Sequence, residues 1–230
     1  GGSYVCWVAA ADGNLTDGVV ATVWLAAMIF DLLDGLVARK LGVDGPLGLQ
    51  LDSLADIVTG GIAPAFVAYR LLIDDAYVFS GFLELTQFVR VFPWAIVIAA
   101  AYRLARYNVR VSEGSDRKYF EGLPAPASGI FWMGMIIWVG STKTLLETNA
   151  MFVVAGLGLI FLPIFMILKR KFFSLKGWGE DAQLDKKRKV FVALSTLVAA
   201  GAFIAWNNVF AAAPLCVLLY SCFAFVLAPK

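Results

Sequence analysis

With 230 residues, 60% of them hydrophobic and only 16% charged, the chain is too apolar for an ordinary soluble domain, in which the apolar share is about 45–50%. A net charge of +2, with no low-complexity tract, convincing internal repeat or soluble module, leaves a polytopic membrane protein as the class. The cysteines, Cys6, Cys216 and Cys222, all fall in apolar stretches, so they indicate neither a disulfide framework nor a metal spacing and read as packing residues.

In chain order, residues 3–11 read as the tail of a first span, and Gly1 and Gly2 in place of a methionine predict a truncated or processed start. Runs near 18–40, 52–74, 87–108, 125–141, 147–169, 189–207 and 209–228 then follow, each close to the roughly 20 residues a helix needs to cross a bilayer. The expected fold is an all-α bundle of about eight transmembrane helices, the first incomplete, forming a single domain over 1–230.

Orientation follows from the lysines and arginines if successive spans alternate. One side receives Arg39, Lys40, Arg103, Arg106, Arg110, Arg117, Lys118, the run from Lys169 to Lys189, and Lys230; the other receives only Arg70, Arg90 and Lys143. The positive-inside rule places the first set, and both termini, in the cytoplasm. There the stretch KRKFFSLKGWGEDAQLDKKRK at 169–189 mixes basic residues with Phe172, Phe173, Leu175 and Trp178. Beside membrane spans that pattern reads as a surface resting on phospholipid head groups, with no nucleic acid involved.

The most informative stretch is DLLDGLVARKLGVDGPLGLQLDSLAD at 31–56. An ionised aspartate at the centre of a membrane helix costs about 2.5–3.5 kcal/mol, so Asp31, Asp34, Asp52 and Asp56 require a cationic partner. Asp31, Asp34, Gly35 and Ala38 follow the i, i+3, i+4, i+7 pattern of one helical stripe, and Gly48, Asp52 and Asp56 follow i, i+4, i+8 on a second. Asp44, Gly45 and Pro46 break the chain between them, which predicts two helices packed antiparallel with their carboxylates converging on one pocket. Oxygen-only donors suit magnesium, manganese or calcium, and two such ions would neutralise four aspartates. The chain has no histidine, which disfavours zinc. At a 1.5 Å rise per residue Asp31 lies roughly 12 Å deeper than Arg39. That depth suits a substrate with a water-soluble head and lipid tails, and two carboxylate-held divalent ions suit phosphoryl-group transfer.

This spacing, D-x2-D-G-x2-A-R-x8-G-x3-D-x3-D, resembles the CDP-alcohol phosphotransferase family of integral membrane enzymes. The resemblance implies a catalytic core at about 18–130 with additional transmembrane helices at about 147–228, and a homodimer. It implies two divalent cations, Mg2+ or Mn2+, held by Asp31, Asp34, Asp52 and Asp56, with Asp56 also the base for the acceptor hydroxyl. Gly35, Ala38 and Gly48 would admit the cytidine and ribose, and Arg39 would meet the diphosphate. Read without the resemblance, the glycines and alanine serve helix packing and Arg39 snorkels to the interface.

RLARYNV at 103–109, KYFEGLPAPASG at 118–129 and DSLADIVTGGIAPAF at 52–66 are similar to segments of the family's membrane-embedded phosphatidylserine synthases. The implied reaction is attack of the L-serine hydroxyl on CDP-diacylglycerol, giving phosphatidylserine and CMP at the cytoplasmic face, of the inner membrane in a bacterium. Arg103, Arg106 and Arg110 share a helix face with Asn108 nearby, and each is either a holder of acceptor carboxylate or donor phosphate or a positive-inside anchor. Lys118 and Glu121 follow in a loop that reads as a polar lid, with Glu121 opposite the serine ammonium. Glycerol 3-phosphate or an inositol phosphate is the alternative acceptor, and a divalent-cation transporter the alternative of another class.

Overall fold

The structure, a computed structural model, describes residues 17–41, 45–74, 91–112, 119–141, 145–173, 182–206 and 211–227. The first-span tail at 3–11, with Cys6, and also Asp44, Arg90, Arg117, Lys118, Lys143, Leu175, Trp178 and Lys230, lie outside the described residues. In chain order the elements are α1 (Asp17–Leu41), α2 (Pro46–Ile57), a π-helical turn (Val58–Ile62), α3 (Ala63–Asp74), α4 (Trp94–Ser112), β1 (Tyr119–Glu121), α5 (Ala125–Ser141), α6 (Leu145–Ile167), β2 (Lys171–Phe173), α7 (Ala182–Trp206) and α8 (Ala212–Leu227). Because α2, the π turn and α3 run on without a break, the described residues form seven helical rods, which fall on the expected helical runs from the second onward.

Gly45, in extended backbone, and Pro46 start α2, as a proline at the first helical turn can. The π turn was not legible from hydropathy. It widens the helix just after Asp56, so that Ala63 N–H reaches Val58 O, and the next carbonyl, that of Thr59, faces Pro64, which has no N–H to give. The Trp24 indole fills that position, donating to Thr59 O at 2.8 Å, and the Thr59 hydroxyl donates back to Ala55 O at 3.0 Å.

Two spans differ from their expected bounds in ways with a physical cause. Pro93 and an i→i+3 turn, in which Trp94 N–H meets Val91 O at 3.1 Å and Ile96 N–H meets Pro93 O at 3.0 Å, start α4 well inside the expected 87–108 run. The polar segment QLDKKRK is helical and extends α7 back to Ala182, where Arg188 donates to Asp185 at 2.7 Å one turn away. The fold is all-helical as expected, apart from one short join between loops in which β1 and β2 pair antiparallel with Phe120 opposite Phe172 and Glu121 opposite Lys171. Three-residue strands in polar-apolar loops carry too little alternation to be read from sequence.

The central element is α5, apolar on all sides, which packs against α1, the π turn, α3, α6 and α8. Its Phe131, Trp132 and Trp138 are wholly buried. Small residues let the neighbours close in: a Cβ on Gly129 would strike the Trp24 ring, one on Gly158 would strike the Phe131 ring, and one on Gly134 would come within 2.8 Å of Ala213 and Pro214. The outer faces are also apolar. Leu25, Ile29, Leu33 and Val37 lie exposed along α1, and Val153, Leu157, Ile160 and Ile164 along α6. Water would not tolerate such belts, and hydrocarbon would. Gln50–Leu71, Asn149–Ile167 and Gln183–Ala205 are long and apolar enough to cross a membrane.

Candidate active site

Two helices carry the acid motif, as the spacing predicts. Asp31 and Asp34 lie on α1, and Gly48, Asp52 and Asp56 on α2, with α1 in contact with both α2 and the π turn. Asp31 and Asp56 are half-buried and Asp52 is exposed. Of Asp34, Gly35, Ala38 and Arg39 the structure describes the helical backbone alone. Asp52 and Asp56, one turn apart, are within electrostatic reach of each other. Among the described residues no three acid, cysteine or histidine side chains are gathered closely enough to hold a metal ion. The donors nevertheless fit a hard divalent cation in kind, being carboxylates on neighbouring helices.

Among the described residues, a Cβ on Gly48 would meet nothing within 4 Å, so none of them packs closely against this glycine. Gly60 and Gly61 in the π turn are closely packed: a Cβ on Gly60 would come within 2.8 Å of Ala125 Cβ, and one on Gly61 within 3.1 Å of Ala100 Cβ. These contacts let α5 and α4 close on the rod that carries Asp52 and Asp56.

Helix α4 supplies the opposite charge. Arg103 is only 8% exposed, lies within electrostatic reach of Asp56, and keeps a buried Nε with no hydrogen-bond partner among the described residues. One helical turn and a half further on, the Asn108 amide donates to the Ser53 hydroxyl at 2.8 Å, locking α4 onto α2 beside Asp52. Ser53 was not singled out by sequence reasoning, although its place inside DSLAD was the available signal. Tyr220 of α8 was missed as well. Its buried ring lies against Phe172 and Phe191, with centroids 6.0 Å and 5.5 Å away, and within electrostatic reach of Arg103. Nothing in the apolar run around it distinguishes it by pattern.

Arg106 and Glu121, both read as candidates for the acceptor's charges, are placed on each other. Arg106 Nη1 donates to Ile167 O at 2.8 Å, Nη2 to Leu168 O and Glu121 O at 3.3 Å each, and Nε lies 3.7 Å from Glu121 Oε2. Arg110 is in the last turns of α4, and of its side chain the structure describes nothing.

A bundle of apolar-faced helices, three of them long and apolar enough to cross a bilayer, marks an integral membrane protein with aspartates on two neighbouring helices. Residues 3–168 match the family described as CDP-alcohol phosphatidyltransferase, and the chain belongs to that family, which generally uses a divalent metal. Among its relatives are CDP-diacylglycerol–serine O-phosphatidyltransferase of Mycobacterium leprae, 38% identical over 115 residues, or 48% of this chain and 35% of that protein. The protein of the same name from Saccharomyces cerevisiae is 39% identical over 117 residues, 48% of this chain and 38% of that protein. Archaetidylserine synthase of Methanothermobacter thermautotrophicus is 35% identical over 130 residues, 55% of this chain and 49% of that protein. The matched segments thus span about a third to a half of these relatives.

Proposed function

We propose that the chain catalyses divalent-metal-dependent transfer of a phosphatidyl group from CDP-diacylglycerol to the hydroxyl of L-serine, giving phosphatidylserine and CMP. The observation that carries this reading is Arg103. A guanidinium held out of water with a donor unpaired among the described residues is costly unless an anion completes it, and this one lies within electrostatic reach of Asp56 of the family motif. A carboxylate-bearing acceptor supplies such an anion. The relatives' names point the same way, since all three name serine while the lipid differs between phosphatidyl and archaetidyl.

In this reading Asp31, Asp34, Asp52 and Asp56 hold two divalent cations, magnesium or manganese, which when bound neutralise the diphosphate and polarise the reacting phosphorus. Gly35, Ala38 and Gly48 admit the cytidine and ribose to the helix backbones, and Arg39 takes the diphosphate. Arg103 holds the serine carboxylate, with Arg110, near the end of α4, and Lys118 as further cations. Asp56 accepts the serine hydroxyl proton as the oxygen–phosphorus bond forms. The bond from phosphorus to the CMP oxygen breaks, and its electron pair leaves with CMP.

The lysine and arginine asymmetry supports a cytoplasm-facing site with both termini on that side; if the source is a bacterium, the membrane is the inner, plasma membrane. The exposed apolar stripe of α1 supports an apolar neighbour, lipid or the second copy of a homodimer. No nucleic acid is involved. The single domain then comprises a catalytic core at about 18–130 and the helices at about 147–228.

The test is CMP release by the purified protein with CDP-diacylglycerol and Mn2+ or Mg2+, offering serine, glycerol 3-phosphate or an inositol phosphate separately. Serine-dependent release that Asp56→Asn abolishes is expected. Release with another acceptor alone overturns serine and keeps the chemistry; metal uptake into vesicles without CMP release overturns the enzyme.

A further inference from the structure

We propose that Arg106 is a positioning residue, the hub of a latch that clamps the Glu121–Leu123 turn and the end of α6 onto α4 and thereby sets Arg103 and Asn108 against the acids of α2. The inference rests on the proposed reaction and adds to it a role for chain beyond the acid motif.

The last carbonyls of a helix have no partners within it. At the end of α6 those of Ile167 and Leu168 receive Arg106 Nη1 and Nη2, at 2.8 Å and 3.3 Å, where a cation also meets the negative end of the helix dipole. The same Nη2 reaches Glu121 O at 3.3 Å, and Nε faces the Glu121 carboxylate at 3.7 Å. One planar fork therefore grips both segments from α4, which the single ammonium of a lysine cannot do.

The gripped segments are also pinned to each other. Gly122 N–H donates to Arg170 O at 3.0 Å and Leu123 N–H to Phe165 O at 2.9 Å. Gly122 adopts φ +75, and a Cβ there would strike the Met166 carbonyl, so the turn needs glycine twice over. The ladder of β1 on β2 continues the join. On α4 itself Arg103 lies one turn before Arg106, and Asn108, bonded to Ser53, half a turn after. Releasing Arg106 frees the helix between the two residues that face α2.

The test is a double-mutant cycle of Arg106→Lys and Gly122→Ala, the second of which displaces the turn without removing a charge. Each is expected to raise the KM for serine and leave that for CDP-diacylglycerol unchanged, with a loss of kcat/KM on the order of 10- to 100-fold, the scale of a misplaced substrate. The double variant should be no worse than the more impaired single one. A serine KM raised by Arg106→Lys but unmoved by Gly122→Ala would mean that Arg106 touches the substrate directly, and overturns the proposal. So does activity loss that only tracks loss of folded protein at an unchanged KM, read against melting in detergent. Should Arg106→Lys not fold, Glu121→Gln takes its place with the same expectations. If the wild-type protein prefers another acceptor, the cycle is run on that acceptor's KM, so failure of the serine reading and failure of the latch are told apart.

Discussion

The Trp24 indole donates to the Thr59 carbonyl at 2.8 Å, joining α1 to the π turn at the carbonyl that Pro64 leaves without an N–H. Trp24→Phe removes the donor and also the Cζ2 and Cη2 edge of the ring that packs against Gly129. The unsatisfied buried carbonyl should cost about 1–3 kcal/mol, seen as a lower melting temperature in detergent. An unchanged melting temperature would show that the carbonyl finds another donor.

The bond from Asn108 to Ser53, at 2.8 Å, ties α4 directly to the helix carrying Asp52 and Asp56. Asn108→Ala and Ser53→Ala remove the same bond from opposite ends. Each should lower kcat/KM by about 2- to 10-fold, the equivalent of one net hydrogen bond, and the double variant should match the singles. Additive losses would assign the two side chains separate roles.

Gly48 and Gly60 make opposite predictions. Gly60→Val forces bulk against Ala125, already 2.8 Å from an added Cβ, and overpacking of this kind costs about 1–3 kcal/mol, so folded yield and melting temperature should fall. Gly48→Val meets open space among the described residues. It should leave melting unchanged and raise the KM for CDP-diacylglycerol, because the added side chain stands where the nucleotide is proposed to lie. Loss of stability at Gly48 would return it to a packing role.

That contrast also marks what the sequence could and could not disclose. The helical stripes of Asp31 and Asp34 and of Gly48, Asp52 and Asp56 were legible because helical periodicity is local and the cost of acids in apolar sequence is large. The helix break at Gly45 and Pro46 was legible for the same reason. Long-range pairings were not: the i, i+3 spacing of Arg103 and Arg106 puts them on one face but does not reveal that the first comes within electrostatic reach of Asp56 while the second spends its donors on Ile167, Leu168 and Glu121. Nor does hydropathy distinguish Gly60, which admits α5, from Gly48, which admits nothing among the described residues, or show that Tyr220, outside the 3–168 family match, reaches the same cluster.

Arg103 offers the sharpest test of the acceptor's chemistry. Arg103→Lys keeps the charge near Asp56 but loses the fork that matches a carboxylate, so the serine KM should rise while the KM for CDP-diacylglycerol holds. Arg103→Gln removes the charge too and leaves Asp56 beside Asp52 without that cation, so kcat should fall as well. Replacing serine with ethanolamine, which has the hydroxyl and ammonium but no carboxylate, should erase the difference between wild type and Arg103→Lys. A penalty that persists with ethanolamine would move Arg103 from the acceptor to the donor's phosphate, since that is the anion the two reactions share.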